Sequence, residues 1–203
     1  IRLADTPIAA RNHAEDILGM TIGEHVVSSV LVEQRFNVVQ ELYAAVVNDV
    51  ESKGPLVLFS AQGGMNIEEV AGGIPTKVKS CPVDIRTGLS AADAAAIVSN
   101  VGIEVHESAI AAALVRLYEA YTYYDAELLE VNPLAITEDD RILALDCKYV
   151  IDDSAIKRHE ALARQGVQEK LTPLEALGQA QRIKYIELDG DIGVLANGAG
   201  LTM

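Results

Sequence analysis

The chain has no cluster of cations. Sixteen Lys and Arg stand against thirty Asp and Glu, for a formal charge of −14. Binding to a phosphate backbone needs clustered Lys and Arg, so nucleic acid is excluded as a partner. A Mg²⁺-nucleotide is not excluded, because its metal takes carboxylate and amide oxygens. Cysteine is also scarce: Cys81 and Cys147 sit in unrelated contexts without metal-ligand spacing. That argues against a disulfide framework and for a reducing, cytoplasm-like compartment. No apolar run reaches membrane-spanning length and no signal peptide is evident, so no membrane partner is expected. His13, His25, His106 and His159 join no nucleophile or ligand constellation and read as surface residues.

What is present is ample core material. Half of the 203 residues are hydrophobic, enough for one large domain or one domain plus part of a second. The chain opens at "IRLADTP" without Met and closes at "NGAGLTM", where a Gly-rich turn begins a helix. One turn of helix cannot bury an apolar face, so the sequence reads as a piece of a longer protein.

Periodicity predicts a helix over Ala9–Leu18, stopped by Gly19. Ser28–Gln34, Glu41–Asp49 and Pro55–Gln62 read as strands, the last two joined by the turn Glu51–Gly54. A Gly turn at Gly63–Gly64 leads to a short helix at Ile67–Ala71, and "TKVKSCPVD" reads as an edge strand. Helices follow at Ser90–Asn100, with Ser90 as N-cap and Asp93 in the capping-box position, and at Glu107–Tyr124. A hairpin spans Leu128–Lys148. Polar helical stretches cover Asp153–Arg164 and Pro173–Arg182. At Ile183 the character changes to short strand, turn, apolar strand and Gly-rich βα junction, which marks a domain boundary.

The hairpin carries the chemistry. Burying Glu130, Asn132, Asp146 and Lys148 in strands is costly unless they are paired or hold an ion. Residues i and i+2 share a strand face. If Ile136 pairs with Ile142, Asn132 falls opposite Asp146, close enough for an amide oxygen and a carboxylate to share one hard cation. The alternative is a bulge at Asn132-Pro133 with an edge salt bridge between Asp146 and Lys148.

These residues carry a resemblance. "LLEVNPLAI…RILALDCK", with "SAQGGMNIEEVA" before it and "YIELDGDIGVLANGAGLTM" after it, is similar to the β subunit of succinyl-CoA synthetase and its malate–CoA ligase and ATP-citrate lyase relatives. The resemblance implies an α/β fold: an α+β ATP-grasp domain over 1–182, lacking its N-terminal part, then the start of a flavodoxin-like ligase domain over 183–203. It implies an acid–CoA ligase that uses ATP or GTP and Mg²⁺. The partner would be an α subunit carrying CoA and a phosphohistidine, and the substrate a small carboxylate. Location would be cytoplasmic, or the mitochondrial matrix in a eukaryote.

Residue by residue, the resemblance implies Asn132 and Asp146 as Mg²⁺ ligands and Glu130 as the group that holds the phosphohistidine loop. Leu31, Val32 and Glu33 would border adenine and ribose, and Glu41 would approach the nucleotide. Phe36 stands where a small residue often faces the nucleotide. Asn197 would contact the carboxylate substrate, and Cys147 should face away from the metal. The nucleotide-binding Lys and Gly-rich phosphate loop of that family have no counterpart between Ile1 and Met203. A nucleotide-binding or assembly module without catalysis is the reading of a different class.

Overall fold

The computed structural model describes residues 1–23, 25–64, 77–166 and 171–197. It divides into two compact units, Ile1–His159 and Glu160–Met203.

In the first unit, helix α1 (Pro7–Ile17) starts two residues earlier than its apolar spacing suggests. Thr6 caps it by accepting the Ala9 N–H, and Pro7 occupies the first turn, where no N–H is required. Gly19 follows at φ +83°, the left-handed conformation that ends the helix. A two-stranded ladder, β1 (Thr21–Ile22) with β2 (His25–Val26), comes next. Ser28–Gln34 forms no strand, contrary to expectation. Leu31 is 83% and Val32 70% exposed, and apolar alternation makes a strand only where a neighbour completes the ladder.

The main sheet has six strands: β3 (Val38–Asp49), β4 (Gly54–Ser60), β5 (Lys79–Pro82), β6 (Ala126–Thr137), β7 (Ile142–Ala144) and β8 (Cys147–Ile151). Its order is β5-β4-β3-β6-β7, with β8 also paired to β6, and every pairing is antiparallel. The edge position of β5, with Pro82 at its end, is the one expected. The Ile67–Ala71 helix expected from sequence lies outside the described residues.

Helices α2 (Ala91–Ser99) and α3 (Glu107–Tyr123) cover one face of this sheet. Ser90 caps α2, accepting the Asp93 N–H at 3.1 Å and donating to Asp93 Oδ2 at 2.6 Å. Leu42, Ala44 and Val46 of β3 and Phe59 of β4 meet Ile97, Ile110 and Leu114 of the helices in the main core. The alternate residues Tyr43, Ala45, Leu56 and Leu58 form a smaller cluster on the other face. The two-residue period of a strand thus separates the helix-covered face from a second face with its own smaller buried cluster.

Two histidines depart from the surface reading. The His159 side chain, 16% exposed, meets Asp125 Oδ2 at 2.9 Å, and that carboxylate also accepts Arg158 Nε at 3.1 Å. His106, 23% exposed, lies 3.4 Å from Asp140.

The Asp153–Arg164 stretch is a 3₁₀ turn at Asp153–Ala155 followed, in the second unit, by α4 (Glu160–Ala163), not one helix. Helix α5 (Pro173–Ala180) carries a complete capping box between Thr172 and Glu175. The Glu175 carboxylate is held below its ordinary range by the Thr172 and Glu187 N–H groups. Residues 183–197 form no strand, although two were expected. Leu188, Ile192, Val194 and Leu195 are 77–97% exposed, so no neighbouring ladder covers them. The character change at Ile183 falls inside the second unit.

Candidate functional site

The hairpin register is the one the sequence implies. Ile136 pairs with Ile142 and Leu134 with Ala144, and Val131 then pairs with Cys147 and Glu130 with Lys148. The count is unbroken between these pairs, which puts Asn132 opposite Asp146. Asn132 N donates to Asp146 O at 3.3 Å, and Leu145 N donates to Pro133 O at 3.1 Å. On its other edge β6 is bulged. Leu42 pairs with Leu134 and Ala44 with Val131, so Tyr43 alone faces both Asn132 and Pro133. The Asn132-Pro133 peptide bond is cis. The bulge weighed as an alternative to a metal pair is therefore present together with the pairing, and bulges of this kind re-aim side chains beside sites.

The turn after β4 closes against this spot. Gly63 N donates to Glu41 O at 2.8 Å, and Gly64 N donates to Asn132 Oδ1 at 2.8 Å. A Cβ at Gly63 would lie 2.7 Å from Leu42 O, so no larger residue fits there without backbone movement. Gly64 has φ +68°, and a Cβ there would meet Glu41 Oε2 at 3.4 Å. The Glu41 carboxylate thus lies near the glycine turn, and a chain of hydrogen bonds runs from Glu41 O through the Gly63–Gly64 turn and Asn132 to Asp146.

Glu130 lies one pleat further along β6, beside Ala45 on one neighbouring strand and Lys148 on the other. The Tyr43 hydroxyl donates to Glu130 Oε2 at 3.2 Å. Burial first, then the Glu130 charge and this hydrogen bond, push the Tyr43 phenol well above its usual range, so it is a donor at neutral pH. Sequence reading missed Tyr43. The available signal was a lone phenol inside the apolar run of β3, since a buried Tyr O–H needs a polar partner. Cys147 pairs with Val131, whose side chain belongs to the helix-side core, and so stands on the face away from Asn132 and Asp146. Burial raises its thiol pKa, and the Asp146 and Glu130 charges raise it further.

The donor set suits a hard cation. Asn132 Oδ1 accepts the Gly64 N–H at 2.8 Å, and Asp146 Oδ1 accepts the Cys147 N–H at 2.8 Å. One amide and one carboxylate are what Mg²⁺ asks of a protein when waters and phosphates complete its octahedron. Among the described residues no group of three His, Cys, Asp or Glu forms a metal cage. A phosphate approaching Glu41, Glu130 and Asp146 would need such a cation to offset their charge.

Other sequence-selected residues are not drawn into this cluster by the contacts seen. Leu31, Val32 and Glu33 lie exposed in the segment before β3. Phe36 packs at the hairpin tip, where the Arg141 guanidinium stacks 5.0 Å from its ring centroid. Asn197 belongs to the second unit and is exposed. Two open hollows, of about 420 and 340 Å³, flank the β3–β4 turn at the opposite end of the strands. Neither contains any selected residue.

Residues 1–136 match the ATP-grasp domain family. The chain belongs to that family. This ATP-grasp chain is 39% identical over its whole length to the GDP-forming succinate–CoA ligase β subunit of Thermus thermophilus. It is 38% identical to the ADP-forming β subunit of Rubrobacter xylanophilus and 40% identical to an ADP-forming β subunit of Streptomyces coelicolor. It covers 54%, 53% and 52% of those proteins, and so spans about half the length of the curated relatives it matches. The ATP-grasp fold is also that of ATP citrate lyase from Methanothrix soehngenii, solved with citrate and coenzyme A. There the TM-score is 0.59 at 18% identity, over 84% of this chain and 40% of that one. No described helix is long and apolar enough to cross a membrane.

Proposed function

We propose that this chain is the nucleotide-handling part of an acid–CoA ligase of the succinate–CoA ligase type. It binds Mg-ATP or Mg-GTP beside Asn132, Asp146 and the Gly63–Gly64 turn and exchanges phosphate with a histidine on a partner α subunit. The observation that carries the reading is the Asn132–Asp146 pair, set side by side by the hairpin register beside the Gly63–Gly64 turn. Identity of 38–40% over the whole of this chain to three succinate–CoA ligase β subunits supports it.

Asn132 and Asp146 would hold Mg²⁺. When bound, that ion neutralises charge on the nucleotide phosphates. Gly64 N–H fixes the amide of Asn132 so that Oδ1 points toward the cluster, and Cys147 N–H does the same for Asp146 Oδ1. Glu41 borders the nucleotide from β3. Glu130 accepts a hydrogen bond from the incoming histidine and orients the imidazole for phosphoryl transfer. The phosphorylated histidine then passes its phosphate to the substrate carboxylate, with Asn197 holding that carboxylate, and CoA displaces the phosphate to form the thioester. Leu31–Glu33 border the base and ribose, Phe36 shapes the pocket edge, and the compartment is cytoplasmic or mitochondrial.

The full-length protein assembled with its partner, incubated with γ-labelled ATP or GTP, should place label on the partner's histidine. Asp146→Ala should remove that label while leaving the fold intact. Normal labelling in the variant would refute the metal assignment. Failure of the wild-type chain to bind either Mg-nucleotide would favour a non-catalytic assembly module.

A further inference from the structure

Tyr43 is 1% exposed, in the middle of β3, with apolar neighbours on its strand. Its one polar atom reaches Glu130 Oε2 at 3.2 Å across the β3–β6 bulge. Opposite Glu130 on the same strand stands Ala45, which offers no side-chain donor. The bulge leaves Tyr43 as the one β3 residue facing Asn132 and Pro133, next to the pleat that carries Glu130.

We propose that Tyr43 is a positioning residue for phosphoryl transfer: its hydroxyl pins one oxygen of Glu130 and directs the other toward the acceptor histidine. The inference rests on the role proposed above for Glu130. A glutamate has three rotatable bonds, and a hydrogen bond from a buried, rigid phenol removes that freedom before the histidine arrives. The ring is held in place by packing with Ala45, Leu56, Leu58 and Val78 in a buried cluster. Lys148, paired in register with Glu130 from the other side, is a cation on a flexible stem and cannot give the same directional hold.

The test is a double-mutant cycle in the full-length protein assembled with its partner, reading histidine phosphorylation and nucleotide affinity separately. Tyr43→Phe keeps the ring and removes the hydroxyl. It should lower the phosphotransfer rate about tenfold with KM for Mg-nucleotide and Tm unchanged. In a Glu130→Gln background the same change should have no further effect on rate, because the group to be positioned is already disabled. Fluorotyrosine at position 43, which keeps the hydroxyl, should restore the rate. A lowered Tm with a wild-type rate would show a purely structural role and overturn the inference, as would additive losses in the cycle. If Glu130→Gln alone transfers phosphate normally, the role of Glu130 fails first and the inference with it. If Glu130→Gln is impaired and Tyr43→Phe is not, only the inference fails.

Discussion

The two faces of the central sheet use the same strands for opposite purposes. On the helix-covered face, Leu42, Ala44 and Val46 meet Ile97, Ile110 and Leu114 in a continuous core. One residue along, the opposite face carries Tyr43 and Ala45 with Glu130 and Asn132 beside them. Both faces bury apolar side chains, the second in a smaller cluster, and the second adds the hydrogen bonds made to Glu130 and Asn132. The larger core should therefore dominate stability, and the polar end of the second face should carry the chemistry.

The sharpest way to break that contrast is to cut each face once. Leu114 is fully buried, so Leu114→Ala should cost about 3 kcal/mol in urea unfolding. Asp146→Ala, on an exposed residue, should leave unfolding unchanged. A similar loss of stability from both would erase the distinction. Gly63→Ala tests where the faces meet. With Leu42 O 2.7 Å from the added Cβ, it should cost about 2 kcal/mol. It should also weaken Mg-nucleotide binding, because Gly64 would lose its place against Asn132.

Ser90→Ala removes the cap of a helix on the covered face. It should cost about 1 kcal/mol, read as a lowered Tm with nucleotide affinity unaltered. The smallest effect is expected at Asp125, far along the strands from the candidate site. The Arg158 and His159 hydrogen bonds hold its carboxyl below the usual range. A depressed folded-state pKa contributes stability above the unfolded value, about 3.9, and loses it as pH falls through the folded value. Asp125→Asn should therefore lower the neutral plateau of a stability–pH curve slightly and flatten its acid limb, the variant and wild type converging at low pH.

How much of this was legible beforehand follows from the same contrast. The strands Glu41–Asp49 and Pro55–Gln62, the Ser90 cap and the Ile136–Ile142 register depend on local pattern and turn length, and all appear in the structure. Ser28–Gln34 has an equally apolar pattern but no ladder partner, and nothing in a local window reports a missing neighbour. The sequence offers the bulge through Pro133, which cannot donate to the ladder, but it cannot show that Tyr43 faces two residues at once. Tyr43's bond to Glu130 spans 87 positions and depends on that bulge. His159 was misread for the same reason: its partner, Asp125, sits 34 residues away at a turn with φ +51°.

The central claim is that Asn132 and Asp146 together form the metal end of a nucleotide site. It is tested most directly by electron paramagnetic resonance of Mn²⁺ with ADP and the full-length protein. Wild type should bind one Mn²⁺ tightly in a nucleotide-dependent way, and Asn132→Ala and Asp146→Ala should each lose that signal while remaining folded. Unchanged Mn²⁺ binding in a folded Asp146→Ala protein would contradict the account.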